Sequence, residues 1–522
     1  MGKSIFTLFC VLGLLVFSPN ELVAKDASFY AANSVLSSGT WYKIRVSYDG
    51  IYKLTYDDLK KMGISDPSHV QIRGYGGWIL NEDFSKTYYD DLPQVAVWMN
   101  KGTDGVFNTG DYLLFYGRGP LKVTRSSQEF VQTNNPYSDY GYYFVSQGAA
   151  EPLQMQSTAS VAVSDTDPVV TTYSDYLIHE KDEINLFGSG REFYGESFYG
   201  NTSQNITMNI PGIVSWIGYR FDFISKPSSS VGLTFSLNGQ SLYSGTISPN
   251  KDYYSAGTSV NQFINGVSTA SENNTFNFKL GSPSMPNSYL NYLRVYFKRK
   301  LQPYGAVTFF RNEFDNLKCK YSISNATSNM MVFDVTDNIS PAVQQTSYEN
   351  GMLSFGMLDS SQRELALVDL SKTIPTPDVI GKIANQDLHA LQKADMVIIV
   401  PSVYKSYAQE LADAHYKNSG LTTLLVDPND IYNEFSSGNP DATSYRRFMK
   451  MFYDRGTSAD DRPKYLLLFG NGSYNNKFIN SKLSDTEKKG YLLAYESEAS
   501  TDERSSYVTD DYFGFLQEEG PL

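Results

Sequence analysis

The chain has 522 residues and a formal net charge of −13, from 43 Lys and Arg against 56 Asp and Glu. That length allows roughly three to four domains of about 150 residues, and an acidic balance without any clustered basic run excludes a partner held through its phosphate backbone. Tyr (40) and Phe (31) are abundant beside Asn, Ser, Thr and Gly, which favours strands joined by tight turns.

Met1-Gly2-Lys3, an apolar run from Ile5 to Phe17 and the polar stretch ending Leu22-Val23-Ala24 have the anatomy of a secretory signal peptide over 1–24, cleaved after Ala24. The run is shorter than the ~20 residues a membrane span needs, so an exported protein without a transmembrane span is expected. Cys10 falls inside this leader. Cys319 then stands alone in the mature chain, which removes any internal disulfide.

An N-terminal β domain is expected over 25–155. Trp41–Val46 alternates, Tyr48-Asp49-Gly50 turns and Ile51–Leu54 returns, a pattern that predicts a hairpin. Thr55 then caps a short helix in which Asp57 and Asp58 precede Lys60, Lys61 and Gly63. Val70–Arg73, Gln94–Trp98 and Asp111–Tyr116 supply further strands, with Gly-rich turns at 74–77 and 117–120. A Ser/Thr/Val/Asp-rich stretch from Gln156 to Val170 reads as a linker or long loop. Beyond it, alternation at Ile206–Ile210, Gly218–Ile224, Leu233–Leu237, Thr275–Leu280 and Tyr292–Phe297 predicts a β-sandwich-like domain over 171–370.

From residue 385 the pattern changes. Met396–Val400, Leu421–Val426 and Tyr465–Phe469 are apolar on both alternating faces, as strands are when helices cover a parallel sheet on both sides. Between the first two, Ser402 offers an N-cap and Gly420 a left-handed stop for a helix carrying Tyr404, Tyr407, Ala408, Leu411 and His415 on one face. Between the second and third, Asp441 can cap a helix that aligns Tyr445, Phe448 and Phe452. Strand, helix, strand, helix, strand places any chemistry at the loops after the strand C-termini, which begin at Pro401, Asp427 and Gly470.

Few side chains there can perform chemistry. His69, His179, His389 and His415 are the four imidazoles, none at metal-ligand spacing, and all read as structural. Cys319 lies in a β segment far from the parallel sheet, where a nucleophile has no crevice to face. The turn Gly470-Asn471-Gly472 follows a strand but has Asn475 where a dinucleotide fingerprint needs its third glycine, and no Walker lysine follows. No Gly-x-Ser-x-Gly elbow occurs. Asp510 and Asp511 pair carboxylates beside aromatics and could meet a calcium ion or a substrate cation, although an exposed acidic turn is the commoner arrangement. No catalytic residue, substrate-binding residue or metal ligand is assigned from the sequence.

Six segments in order, Asn385–Leu391, Ala394–Pro401, Ile431–Gly438, Met449–Arg455, Tyr465–Tyr474 and Tyr507–Gly514, resemble gingipain-type cysteine peptidases, in particular the sortases of the type IX secretion system. Gly50–Tyr56, Ser189–Glu196 and Val332–Asp337 are similar to the β regions of those sortases. The resemblance implies a caspase-like α/β domain, here an incomplete one over 385–522, whose Cys-His dyad works on exported proteins. It further implies cargo proteins with C-terminal sorting domains, type IX secretion components and a lipopolysaccharide anchor as partners, at an outer-membrane-associated surface. In the family the histidine stands between glycines after a later strand and the cysteine ends the next one; this chain carries neither motif. It is therefore expected to be the front portion of a longer enzyme, inactive by itself; no cofactor is expected beyond the calcium that the resemblance allows. Family members commonly carry an aspartate, a calcium ligand in gingipains, where this chain has Asn471. The alternatives are a non-enzymatic β-rich secretion or adhesion subunit with a structural α/β remnant, and, disfavoured by the missing glycine, a nucleotide-binding protein.

Overall fold

A computed structural model describes residues 27–127, 129–199, 202–281, 287–359 and 363–517. The expected leader, 1–24, lies outside them. The architecture is mainly β, with one three-stranded parallel sheet near the end of the chain.

The N-terminal region folds as two facing sheets. One runs in the order Asp378–Ile383, Trp41–Val46, Gly141–Gln147, Val70–Arg73 and Gln94–Val95; the other is Gly50–Thr55, Tyr112–Gly117 and Val97–Asn100. Ile44, Tyr52, Leu54, Ile72, Phe115 and Val145 fill the space between them. The hairpin expected from residues 41–54 does not form. Trp41–Val46 pairs with Gly141–Gln147 and Asp378–Ile383, whereas Gly50–Thr55 pairs with Tyr112–Gly117. The reason is burial on both faces: Ile51, Tyr52 and Leu54 are all enclosed, which one exposed hairpin cannot achieve. The chain instead crosses between sheets at Tyr48–Gly50, where Asp49 accepts the Gly119 N–H at 2.8 Å. The short helix α1, Tyr56–Lys61, forms as expected, with a capping box between Thr55 and Asp58.

The stretch 156–170 is not a free linker. Gln156–Thr158 runs parallel to Ala342–Gln344, Val169–Val170 runs parallel to Lys320–Tyr321, and the Val161 N–H bonds the Gly356 carbonyl at 2.8 Å. Its backbone groups are satisfied by edge pairing, which its polar composition does not reveal. The residues expected to make one sandwich build two pairs of sheets. In the first, Thr172–Glu180, Asn287–Lys300, Ile213–Lys226 and Thr258–Asn265 face Ser203–Asn209, Asn273–Leu280, Val231–Leu237 and Gln240–Ile247 across a Phe-rich core that includes Phe221, Phe235, Phe276 and Phe278. In the second, sheets containing Met330–Asp334 and Lys318–Ile323 enclose Cys319, Tyr321, Val332, Phe355 and Leu367.

The parallel sheet has the order Thr423–Val426, Met396–Ile399, Tyr465–Leu468. Alternation along its central strand sends Met396 and Ile398 to one face, against Ala408 and Ala412 of helix α2 (Lys405–Ser419). Val397 and Ile399 go to the other, with Ile431 and Phe435 of α3 (Pro428–Phe435) and Tyr445, Phe448 and Phe452 of α4 (Ala442–Arg455). Gly420 ends α2 at φ +67°, as expected. Ser402 does not cap it: Ser402–Tyr404 is a 3-10 turn, and Tyr404 precedes the α-helix with no side-chain cap.

One close approach fixes the N-terminal region. A Cβ on Gly141 would lie 1.9 Å from the Arg118 carbonyl oxygen, and one on Gly77 would lie 2.5 Å from Gly141 Cα. Because both neighbours are backbone, neither can step aside. Gly141→Ala is expected to destabilise the chain by about 2 kcal/mol or more, an overpacking cost, read as a lower thermal midpoint than that of Gly232→Ala, where a Cβ meets open space.

Candidate functional site

Three loops meet at the C-terminal crest of the parallel sheet, and each is held by its own local chemistry. After Met396–Ile399, the Val400 N–H bonds Val426 O at 2.9 Å and Pro401 leads into the Ser402–Tyr404 turn. After Thr423–Val426, Asp427 accepts the Asn429 N–H at 2.9 Å and Pro428 occupies the first turn of α3. This Asp-Pro pair is a helix-start signal. Burial, then the charges of Asp427 and Glu434, push Asp430 up to about 6. After Tyr465–Leu468, the Phe469 N–H bonds Ile399 O at 2.9 Å, and Asn471 exchanges backbone hydrogen bonds with Gly490 (3.2 Å) and Leu492 (2.7 Å). No helix opens on this turn, so it lacks the N-terminal N–H groups that a dinucleotide pyrophosphate requires.

The N-terminal region packs on the α3–α4 side of the sheet, near the N-terminal ends of its strands, where Arg455 donates to the His389 carbonyl at 2.7 Å. Glu434 of α3 is fully buried and accepts hydrogen bonds from Leu388 N at 2.8 Å, His389 N at 3.2 Å and Gln386 Nε2 at 2.9 Å. His389 Nδ1 lies 2.6 Å from Glu434 Oε2, and Nε2 lies 3.0 Å from Asp90 Oδ1. Its ring stacks on Phe435 at 4.7 Å. Burial alone would lower the pKa of this imidazole; the hydrogen bonds and charges of Asp90 and Glu434 outweigh it and raise the pKa to about 9. With both ring nitrogens donating to carboxylates and no exposed edge, His389 cannot act as a general base. It joins two of the sequence segments that carry the family resemblance, 385–391 and 431–438.

Helix α4 is buried on its basic side too. Arg446 lies over Phe84 (4.3 Å) and Tyr512 (4.6 Å) and donates to Glu82 O and Phe515 O, while Arg447 lies over Tyr88 at 4.3 Å. The loop 75–92 thus wraps the helix, pinned further by Leu80 N to Asp441 Oδ2 at 2.9 Å and Tyr75 N to Ser437 Oγ at 2.9 Å. Arg191, from the resembling segment 189–196, pairs with Glu82 and donates to Glu496 O at 2.7 Å. One guanidinium therefore ties the first sandwich, the N-terminal loop and the last described segment together.

The remaining sequence candidates lie apart. Cys319 is buried in the second sandwich, where its thiol lies 3.4 Å from Asp359 Oδ2; burial first, then the Asp359 charge and hydrogen bond, push its pKa up to about 12. Asp510 and Asp511 are exposed and border a concavity of about 670 Å³ beside Leu466, Leu467 and Leu468. That strand pairs on one side only among the described residues, and Tyr465 is 54% exposed. Of the other imidazoles, His179 lies 2.7 Å from Glu196 and His69 2.9 Å from Asp66. No three His, Cys, Asp or Glu side chains among the described residues are placed to hold a metal. Asn471 offers a neutral amide oxygen where family members commonly carry a carboxylate, so this turn lacks that negative charge.

Residues 389–520 match the model of peptidase family C25. Among solved structures, the chain is similar to dimeric latent PorU from Porphyromonas gingivalis, with a TM-score of 0.84 and 29% identity over 94% of this chain and 47% of that one. The chain thus spans about half the length of that protein. The CBM36-1 domain of a multidomain xylanase from the hindgut metagenome of Trinervitermes trinervoides matches 23% of this chain and 96% of its own at 11% identity and a TM-score of 0.17. The insecticidal delta-endotoxin Cry8Ea1 from Bacillus thuringiensis matches 46% and 55% at 11% identity and the same score. Neither bears on fold or function at that score. No curated protein matches. The gingipain-type resemblance holds, and the chain is PorU-like in fold over nearly all its length. No described helix is long and apolar enough to cross a membrane.

Two outcomes follow from the buried groups. His389 gains its partners on folding, so its contribution is fully present below about pH 6.5 and is lost as pH rises through about 9. His389→Gln is expected to lower the thermal midpoint at pH 6 by the equivalent of about 3 kcal/mol, and the gap from the parent chain to narrow steadily between pH 7 and pH 10. Cys319, held as a thiol by a pKa of about 12, is expected to resist iodoacetamide at pH 8 in the folded chain and to react in urea, with mass spectrometry locating the adduct.

Proposed function

We propose that this chain supplies the β-rich front and the first wall of the catalytic crevice of an exported cysteine peptidase, a sortase of the type IX secretion system. The enzyme removes the C-terminal sorting domain of cargo proteins and supports joining of their new ends to a lipopolysaccharide anchor at the cell surface. The observation that supports this reading most directly is the match to PorU over 94% of the chain, together with the family C25 match over 389–520.

The chemistry fits a division of labour. Acyl transfer through a thiolate needs a nucleophile, a base and oxyanion donors at one crevice. The described residues bring the floor: a parallel sheet and three loops ordered at its C-terminal crest, with the α3–α4 layer behind it fastened to the N-terminal region through Glu434, His389 and Asp90. In this reading the thiol and the catalytic imidazole belong to chain following residue 522, whose next strand adds to the unpaired edge of Tyr465–Leu468.

The test compares the 522-residue chain with the protein read from the full genomic frame, using a peptide that spans the junction of a cargo's sorting domain. The longer protein is expected to cut it and the 522-residue chain to leave it intact. Cleavage by the 522-residue chain that disappears in Cys319→Ala overturns the proposal. A frame that stops at residue 522, with cargo bound but uncut, turns the reading to a non-enzymatic secretion subunit.

A further inference from the structure

A cavity of about 890 Å³ lies where the N-terminal sheets meet both sandwiches, remote in sequence from the parallel sheet. Its volume is in the range of small-molecule sites, roughly 300–1,000 Å³. In a chain of net charge −13, its lining reverses sign: Arg118, Lys122, Arg125, Arg299, Arg311 and Arg363 face three carboxylates, Asp49, Asp175 and Glu364.

These cations fall into two groups. Arg311 bridges Asp175 Oδ1 at 3.3 Å and Glu364 Oε1 at 2.7 Å, Arg299 reaches Asp175 Oδ2 at 3.0 Å, and Arg363 pairs with Asp334. That network is internally neutralised and makes a fixed floor. Arg118, Lys122 and Arg125 are different: they lie on the segment after Tyr112–Gly117 and make no ion pair within 4 Å among the described residues, although the Arg118 charge opposes the burial that raises the pKa of Asp49 and Glu364. Arg118 lies over the Trp78 ring at 3.8 Å and Lys122 over the same ring at 5.4 Å, while Arg125 donates to the Asn312 carbonyl at 2.8 Å. Stacking on indole occupies the guanidinium face and leaves its in-plane N–H edge for a planar acceptor. Arg118 Nε is buried without a hydrogen-bond partner, as are two neutral groups of the lining, Tyr173 OH and Asn312 Oδ1. Buried polar atoms left unpaired in a native protein call for a partner; Arg299 and Arg363 also carry an unpartnered Nε, but their charges, like that of Arg311, are met by carboxylates in direct ion pairs.

We propose that this cavity binds a small ligand bearing an oxyanion, carboxylate or phosphate, whose charge is met by Arg118, Lys122 and Arg125 and whose hydroxylated body reaches Tyr173 and Asn312 across the Trp78 ring. Arg is the side chain suited to bidentate recognition of either oxyanion, and an aromatic wall takes the apolar face of a ring. This site is independent of the crest and of the peptidase reading.

Calorimetric titration of the full chain with glucose 1-phosphate, glucuronate and neutral glucose tests the assignment. One or both charged probes are expected to bind, with Kd weakened at least about tenfold in Arg118→Gln/Arg125→Gln and unchanged in Arg504→Gln, a distant exposed guanidinium paired with Asp502. Binding of the first probe alone assigns a phosphate, of the second alone a carboxylate. If the double variant melts early, Lys122→Gln is read in the same way. Failure of both charged probes to bind at about 10 mM, equal affinity for glucose, or undiminished binding in these folded variants overturns the proposal.

Discussion

The union of the β-rich front with the parallel sheet depends on one buried imidazolium. His389 sits between a carboxylate from α3 and one from the N-terminal loop, with its own side chain and that of Glu434 fully enclosed. Two buried carboxylates without a cation between them would repel and face a desolvation cost of several kcal/mol each; the proton on His389 makes the cluster stable. The same Glu434 also gathers the N–H groups of residues 388 and 389, so α3 cannot shift without unsatisfying the backbone that leads into the sheet. Lys43 reinforces the joint without any carboxylate, through Asn433 Oδ1 and the Gly438 carbonyl, and burial lowers its pKa to about 7.

How far these features were legible in the sequence differs by element. The parallel strands were readable because Met396–Ile399 is apolar on both faces, a pattern few other structures produce. The Asp441 cap and the Tyr445, Phe448, Phe452 stripe gave α4. Its basic side, Arg446, Arg447 and Lys450, is buried by the loop 75–92, more than 350 residues earlier in sequence, and no local pattern encodes such a cover. Helix α3 could have been found from Asp427-Pro428 and was missed because eight residues carry little periodicity. The false hairpin at 41–54 arose because two strands of opposite direction joined by a Gly turn look alike whether they pair with each other or part into two sheets.

At the candidate site, residue types were readable and roles were not. The reading of His389 as structural agrees with its enclosure, but its partners, Asp90 and Glu434, have no motif that links them. Segments 385–391, 431–438 and 189–196 carried the family resemblance, and each proves to be a junction. Family likeness in this chain therefore marks places where its parts are fastened together as well as the strands and crest turns of the parallel sheet at 394–401 and 465–474.

The strand Asp378–Ile383, which completes the first sheet by pairing with Trp41–Val46, sets an order of assembly. Its partner emerges more than 300 residues before it, with both sandwiches between. A contact so distant along the chain is entropically late, and folds dominated by such contacts form slowly. The sandwiches can mature as they emerge, but the opening sheet stays unsealed along one side until residue 383 arrives, so a nascent or translocating polypeptide carries an exposed β edge while more than 300 residues are added.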